Sequence, residues 1–424
     1  MKRVCIVTPG ALGSNPRVVK EATALQQAGY DVLVISTRTL QLADDRDQAI
    51  LDEVSWSSIW LDYSTAGWNK WRLKLWRLWQ AVAERLYRLT AISFFADHSC
   101  SAFTAPLLLT TEKVQADLYI AHYVAALPAA ARAAKRHHAP YAFDAEDFHL
   151  GDPPRGEQGD RERKITRAIE SRYLPSCAYV TAASPGIAEA YTEAYGIPQP
   201  TVVLNVFPLN QAPEAPTPKG TATPGPSLYW FSQTIGPDRG LECAVRAIAR
   251  AQSKPHLYLR GTPAAGYAGH LKELAEEQGC ADRLHLLPPA MPQQMERLAA
   301  EYDVGLVGET GHTPNRRICL TNKQFTYLLA GLPVLFSDIP AHRQLANELG
   351  DATPLYSVDD EDELAQQLDA LLLSSETLSK SRQLAWGLGQ GRYNWDVEQE
   401  FLLNNIKLLL NCKIEKSTVR KALM

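Results

Sequence analysis

The chain has no C-x-x-C pair, no run of about 18 apolar residues and no Walker-type phosphate loop. Seven cysteines lie scattered at positions 5, 100, 177, 243, 280, 319 and 412. An odd number without ligand-like spacing argues against a disulfide framework and against a zinc site, and a reducing cytosol is the simple reading. Without a long apolar run no segment is expected to span a membrane. The opening MKRVCIVTPG is too short an apolar stretch for a signal peptide and reads as a first strand. Charge is not one-sided: 43 basic and 47 acidic residues leave a net charge of −4, which gives no reason to expect nucleic acid as a partner. No Ser/His/Asp sequence motif marks a nucleophile, and no metal-ligand spacing is present.

With 424 residues, 46% of them hydrophobic and 21% charged, the chain is globular and too long for one ordinary core, so two domains are expected. Val4 to Val7, Asp31 to Ser36, Leu118 to Ala121, Tyr141 to Phe143, Tyr179 to Thr181 and Thr201 to Leu204 read as strands separated by helices. Asn15 followed by Pro16 is a favoured helix start. Six prolines between Pro208 and Pro226 interrupt this alternation and read as a linker. From Leu228 the strand-helix alternation resumes. The chain is therefore expected to be α/β, with two Rossmann-like domains and ligands at the carboxyl ends of parallel strands. The expected boundaries are 1–207, a linker at 208–226, a second domain at 227–385, a C-terminal helix at 386–410 and a frayed tail at 411–424.

The most informative segment is TNKQFTYLLAGLPVL, Thr321 to Leu335. Thr321 and Gln324 have capping-box spacing, Phe325, Leu328 and Leu329 make one helix face, and Gly331 and Pro333 stop the helix before a buried strand. Lys323 opposes the helix dipole in the first turn. It fits if that helix end holds an anion such as a diphosphate.

Asn-Lys-x-Phe-x-Tyr-Leu-x-Ala-Gly-x-Pro-Val resembles the donor-site segment of retaining GT-B glycosyltransferases of family four. The resemblance runs from Val4 to about Leu410 and is weakest between Asp44 and Thr111. It implies a GT-B fold whose C-terminal helix crosses back to the first domain. It also implies a nucleotide-sugar as donor substrate, no cofactor or metal, and a saccharide or lipid-linked acceptor. By that resemblance the anomeric configuration is retained and a donor phosphate oxygen takes the acceptor's proton. It points to cell-surface polysaccharide or glycolipid synthesis by a hexosyltransferase-like enzyme.

Each site residue has a structural alternative. Gly10 and Gly13, after the first strand, match the family's glycine loop but also fit an ordinary turn. His122 ends a strand where family members often carry a histidine. Asp144, Glu146, Asp147 and His149 crowd one loop and would repel one another unless they face a cleft or basic partners. Many relatives have a sugar-binding histidine at Glu146, and His149 is the candidate to replace it. In the second domain Arg239 matches a diphosphate-gripping lysine, whereas Gln233 occupies the usual arginine position and cannot imitate its bidentate contact. Lys323, Arg316 and Arg317 are candidates to compensate, and Arg260 before Gly261 is a further candidate. The family's Glu-x7-Glu pair falls on Ile318 and Thr326 and is absent, leaving Glu309 to reach the sugar. Thr326 lies one turn from Asn322 and is expected to face the nucleotide.

These departures keep two other readings open: a non-catalytic GT-B partner or scaffold protein, and a nucleotide-sugar epimerase. Finally, Trp68 to Phe95 reads as one basic helix. Trp68, Trp71, Leu75, Leu78, Trp79, Val82, Leu86 and Leu89 form a stripe opposite Lys70, Lys74, Arg77, Arg85 and Arg88. That pattern suits an anionic membrane surface, placing a cytoplasmic protein at the inner face, or a helix packed on the first domain with a solvated basic face.

Overall fold

The computed structural model describes residues 1–38, 41–63, 67–216, 224–350 and 353–422; side chains of 41–46, 67–68 and 411–422 lie outside the description. The chain divides into two compact units, Met1–Val203 with Gln399–Met424, and Leu204–Glu398. Each is an open α/β sheet with every described strand pair parallel. These are the two Rossmann-like units that the alternation implied.

In the first unit the strands are β1 (Arg3–Val7), β2 (Asp31–Arg38), β3 (Ser57–Asp62), β4 (Leu118–His122), β5 (Tyr141–Ala145), β6 (Val180–Ala182) and β7 (Thr201–Val202). Their order is β3-β2-β1-β4-β5-β6-β7. Val4 to Val7 and Leu118 to Ala121 are buried, as continuous apolar runs in a doubly covered parallel sheet should be. The strand order reverses between β1 and β4. The loops after those two strands therefore diverge to opposite faces and leave a crevice at the carboxyl edge.

The second unit repeats the plan with β8 (Ser227–Ile235), β9 (His256–Pro263), β10 (Leu284–Leu287), β11 (Val304–Val307), β12 (Val334–Ser337) and β13 (Leu355–Tyr356), ordered β10-β9-β8-β11-β12-β13. Leu228, Trp230, Leu257, Leu259, Val304 and Leu306 point into a core shared with the helices Leu241–Arg250 and Glu361–Leu372. Here the order reverses between β8 and β11.

Several expectations need correction. The chain passes from one unit to the other at Val203 and Leu204, not at 207. A 3-10 turn, Leu209–Gln211, occupies the start of the proline-rich segment, and 217–223 of that linker lie outside the described residues. β3, β13 and the helix Ser375–Gly391 were not anticipated. β3 is half-buried along most of its length and carries no clean alternation for sequence reading to find. The last helix is a single rod, Trp395–Ala422, that takes in 411–422 of the expected tail; 423–424 lie outside the described residues. Asn394 opens it by accepting a hydrogen bond from the Val397 amide at 3.1 Å. From Gln399 it belongs to the first unit, where Asn405 meets Thr201 at 3.5 Å and Leu410 accepts from Lys2.

Candidate functional site

The switch point of the second sheet gathers charge. Gly240 lies at φ +68°, and a β-carbon there would sit 2.4 Å from the carbonyl oxygen of Gly308. Only glycine permits this approach, and it brings the loop after β8 against the loop after β11. The approach sets Arg239 beside Glu309. One Glu309 oxygen takes the Arg239 guanidinium at 3.2 Å with Arg316 at 4.0 Å, and the other takes Lys323 Nζ at 3.1 Å. Three cations thus surround one carboxylate. Glu309 is buried, and burial raises its pKa. Lys323, Arg239 and Arg316 together outweigh that and hold it down at about 2. Burial lowers the pKa of Lys323, and Glu309 opposes the fall. Lys323 also lies 5.4 Å from the centre of the Trp230 ring. Arg239 and Arg316 stay partly open to solvent at 24% and 28%, so the exposed side of the cluster is cationic.

The helix carrying Lys323 runs Lys323–Ala330 and closes on Gly331 at φ +74°. The capping box does not form. Asn322 is the N-cap without a side-chain cap bond, while the Thr321 hydroxyl donates to the Gln324 side-chain oxygen at 3.0 Å. Thr326 is fully buried and donates to Glu296 Oε1 at 2.8 Å. Glu296, fully buried on the short helix Met295–Ala299, is its partner from thirty residues upstream. Arg260 lies within β9 rather than at its end; it donates to the Tyr229 hydroxyl at 2.9 Å and the Pro288 carbonyl at 3.1 Å. Gln233 is exposed near the end of β8. Arg239, Glu309 and Lys323 are thus brought together, with Asn322 next in sequence.

In the first unit the acidic loop finds its basic partners inside the fold. Arg17, on the helix Pro16–Gln27 that Asn15 caps, donates from Nε and from one terminal nitrogen to the two oxygens of Asp144, both at 2.7 Å, and to the Val203 carbonyl at 2.8 Å. His122 Nε2 meets Glu21 at 2.6 Å, and its Nδ1 lies 3.3 Å from Asp144 and 3.4 Å from Glu146. Burial raises the Asp144 pKa, but Arg17 and His122 outweigh it and hold the group at about 2. His122 and Asp144 are thus buried and paired within the fold, with Arg17 and Glu21 as partners. The His122, Asp144 and Glu146 ligand atoms lie within 4.8 Å of one another, but Arg17 already occupies Asp144. Gly13 is also engaged: its amide donates to Asp47 at 2.6 Å. Glu146 is half-buried and accepts from Tyr123 at 3.4 Å. Sequence reasoning missed Arg17, Glu21 and Tyr123. The only local signal for the first two was an i, i+4 charge pair on a helix that otherwise reads as a turn-capped core helix.

His122 has a measurable consequence. Burial pushes its pKa down, yet Asp144 and Glu21 outweigh this and lift it to about 10 from an ordinary 6.5. An imidazolium favoured in the folded state adds stability that is complete below pH 6.5 and is lost as pH rises through 10. The unfolding temperature should fall between pH 7 and 10, and fall less in His122→Gln. Equal declines in the two proteins would show that this imidazolium is not responsible.

Residues 13–206 match the family model of the glycosyl transferase 4-like domain. No curated protein matches the chain in sequence. Solved structures share its fold along nearly the whole length. The Anabaena protein HepE, solved with UDP and glucose, has 15% identity and a TM-score of 0.69 over 96% of this chain and 100% of its own. Sucrose-phosphate synthase from Thermosynechococcus elongatus has 14% identity and a TM-score of 0.72, with 97% and 100% covered. A TarM variant from S. aureus, solved with fondaparinux, α-GlcNAc-glycerol and UDP, has 10% identity and a TM-score of 0.66, with 97% and 100% covered. Residues 13–206 are therefore similar to a glycosyl transferase 4-like domain, and the chain shares the GT-B fold of these structures.

Proposed function

We propose that this chain is a retaining, metal-independent glycosyltransferase of the hexosyltransferase type, which moves a sugar from a nucleotide donor to a saccharide or lipid-linked acceptor in cell-surface polysaccharide or glycolipid synthesis. The observation that carries the reading is the cluster of Arg239, Arg316 and Lys323 around Glu309 at the switch point of the second sheet. A departing nucleoside diphosphate develops negative charge, and preorganised cations at that point stabilise it without reorganising. The mobile cost is small because Glu309 already holds two of the three side chains within 3.2 Å. The remaining catalytic contribution is positioning of acceptor and donor. UDP is the first donor nucleotide to test, since HepE and TarM were solved with it.

A panel of nucleotide-sugars, each scored for heat stabilisation and for slow hydrolysis, tests the proposal. At a hundredfold excess over Kd, one of them should stabilise the protein by about 2.7 kcal/mol. Absence of both stabilisation and hydrolysis across the panel would contradict the transferase reading and favour its rival, a non-catalytic GT-B partner protein. Burial of Thr326 against Glu296 favours that rival, because it leaves the usual ribose-binding position without a ligand-facing group.

The amphipathic helix supports a peripheral membrane location at the cytoplasmic face. Among the described residues no helix is long and apolar enough to cross a bilayer. The expected single helix is two, Gly67–Thr90 and Ser93–Ser99, broken at Ala91 with φ 54°. The expected stripe does not pack inward as a whole. Ala83 and Tyr87 are buried instead, with Leu73 and Trp76 half-buried, while Trp71, Leu75, Leu78 and Leu89 remain 60%, 64%, 62% and 76% exposed. The Trp68 side chain lies outside the described residues. Lys70, Lys74, Arg77, Arg85 and Arg88 are exposed or flank this apolar face, which suits anionic headgroups. The protein should sediment with phosphatidylserine-containing vesicles and not with neutral ones, and a Lys70, Lys74 and Arg77 triple alanine variant should stay in solution. Equal sedimentation of the native protein with both vesicle types, or with neither, would contradict this placement.

A further inference from the structure

Glu309, at the centre of the cation cluster, sits on a loop that is pinned at Gly308, Glu309 and Thr310 in turn. Gly308 lies against Gly240, and the Tyr356 hydroxyl is 2.9 Å from where a β-carbon on Gly308 would stand. The Thr310 hydroxyl donates to the Asp238 carbonyl at 3.3 Å. Between them, the Glu309 carbonyl accepts from the Ser337 hydroxyl at 2.6 Å. We propose that Ser337 and His342 are positioning residues for the diphosphate site. They hold Glu309 so that Arg239, Arg316 and Lys323 stand in place before a ligand arrives. The inference rests on the transferase reading and adds to it the two residues that set the donor grip from beneath.

Ser337 is the last residue of β12, and His342 is the third of the helix Pro340–Leu349. Both are fully buried, so their donors are spent inside the fold. The Ser337 hydroxyl has one proton and two carbonyls in reach, Glu309 at 2.6 Å and Val307 at 3.3 Å. The shorter contact takes it. His342 Nδ1 is a third claimant, 3.4 Å from the same hydroxyl and 2.8 Å from the Ser337 carbonyl. Burial outweighs that carbonyl and lowers the His342 pKa to about 4, so near neutral pH the ring carries a single N–H. A carbonyl only accepts, which places the proton on Nδ1. Nε2 then keeps a lone pair, with no hydrogen-bond partner among the described residues. With Nδ1 protonated, the Ser337 hydroxyl cannot donate to the ring and turns to Glu309. With the proton on Nε2 instead, Nδ1 would compete for it.

The pairing of β11 with β12 runs as far as Val307 and Phe336. Ser337 carries the tie on to Glu309, the residue whose side chain gathers the cations. That side chain meets Lys323 at 3.1 Å through one oxygen and Arg239 at 3.2 Å through the other. A rotation of the Glu309 main chain therefore moves both contacts at once. An anion site acts without reorganising only while its cations are already in place, and residues outside direct reach of the ligand supply that placement.

Calorimetric titration of UDP and of inorganic pyrophosphate into the full chain, below the unfolding transition of each variant, tests this. Ser337→Ala should bind both about three- to tenfold more weakly than the native protein. His342→Leu should do the same, and His342→Asn, which keeps an N–H donor near the place of Nδ1, should recover most of the loss. Should His342→Leu fail to fold, Ser337→Ala decides alone. In the Arg239→Ala background, Ser337→Ala should weaken binding by less than it does in the native protein, because part of what it positions is gone. Unchanged affinity in folded Ser337→Ala, or a loss of the same size with and without Arg239, would overturn the inference. If the native protein binds either probe and Ser337→Ala binds it equally, only this inference falls; if the native protein binds neither, the transferase reading falls with it.

Discussion

An Arg239→Ala protein is expected to transfer sugar on the order of 10²–10³-fold more slowly than the native enzyme, with little change in unfolding temperature. The asymmetry follows from the geometry. Arg239 is partly open to solvent and meets Glu309 at 3.2 Å, but Glu309 keeps Lys323 at 3.1 Å when the arginine is gone. The carboxylate is therefore not left unpaired, and the fold loses little. A donor diphosphate loses one of the three cations. Charge-assisted hydrogen bonds contribute about 1.5–3 kcal/mol, so nucleotide affinity should fall about ten- to a hundredfold. Arg239→Lys should recover only part of the rate, because a point charge cannot make the paired contacts of a guanidinium. Measured kcat and nucleotide Kd for both variants, with melting curves, decide the matter. A large loss of stability with unchanged rate per folded molecule would assign Arg239 to the framework instead.

Arg17→Met should do the reverse. Arg17 and Asp144 are each nearly inaccessible, joined by two hydrogen bonds of 2.7 Å, and Arg17 also holds the Val203 carbonyl. Removing the guanidinium leaves a buried carboxylate facing only His122 and the Thr181 hydroxyl. Breaking a buried pair in this way costs about 3–5 kcal/mol. The loss belongs to the first unit, so UDP should still bind to protein that remains folded. Chemical denaturation of the variant gives the energy, and UDP titration below its transition gives the affinity. A loss below about 1 kcal/mol would mean that the pair is solvated far more than its burial indicates.

The fold was readable because parallel strands buried on both faces write themselves as apolar runs, as at Val4 to Val7 and Val334 to Ser337. Asn15 with Pro16, and Gly331 at the end of its helix, were readable for the same local reason. Lys323 was readable as an anomaly, a cation at the positive end of a helix. What it meets was not: Glu309 lies fourteen residues away and Arg239 far upstream, and only the close approach of Gly240 to Gly308 joins them. Thr326 shows the limit most clearly. Its spacing from Asn322 gave a ligand-facing position, but the backbone spacing cannot reveal Glu296 covering that face. The amphipathic helix is a related case. Its period locates an apolar stripe, whereas Ala83 and Tyr87 pack inward and leave much of that stripe exposed.

Arg239, Arg316 and Lys323 around Glu309 are the proposed binding site for the donor's diphosphate. Calorimetric titration of UDP into the native protein and into Arg239→Ala and Lys323→Met tests it most directly. UDP should bind the native protein saturably and each variant about ten- to a hundredfold more weakly. UDP binding of equal strength in all three folded proteins would contradict it.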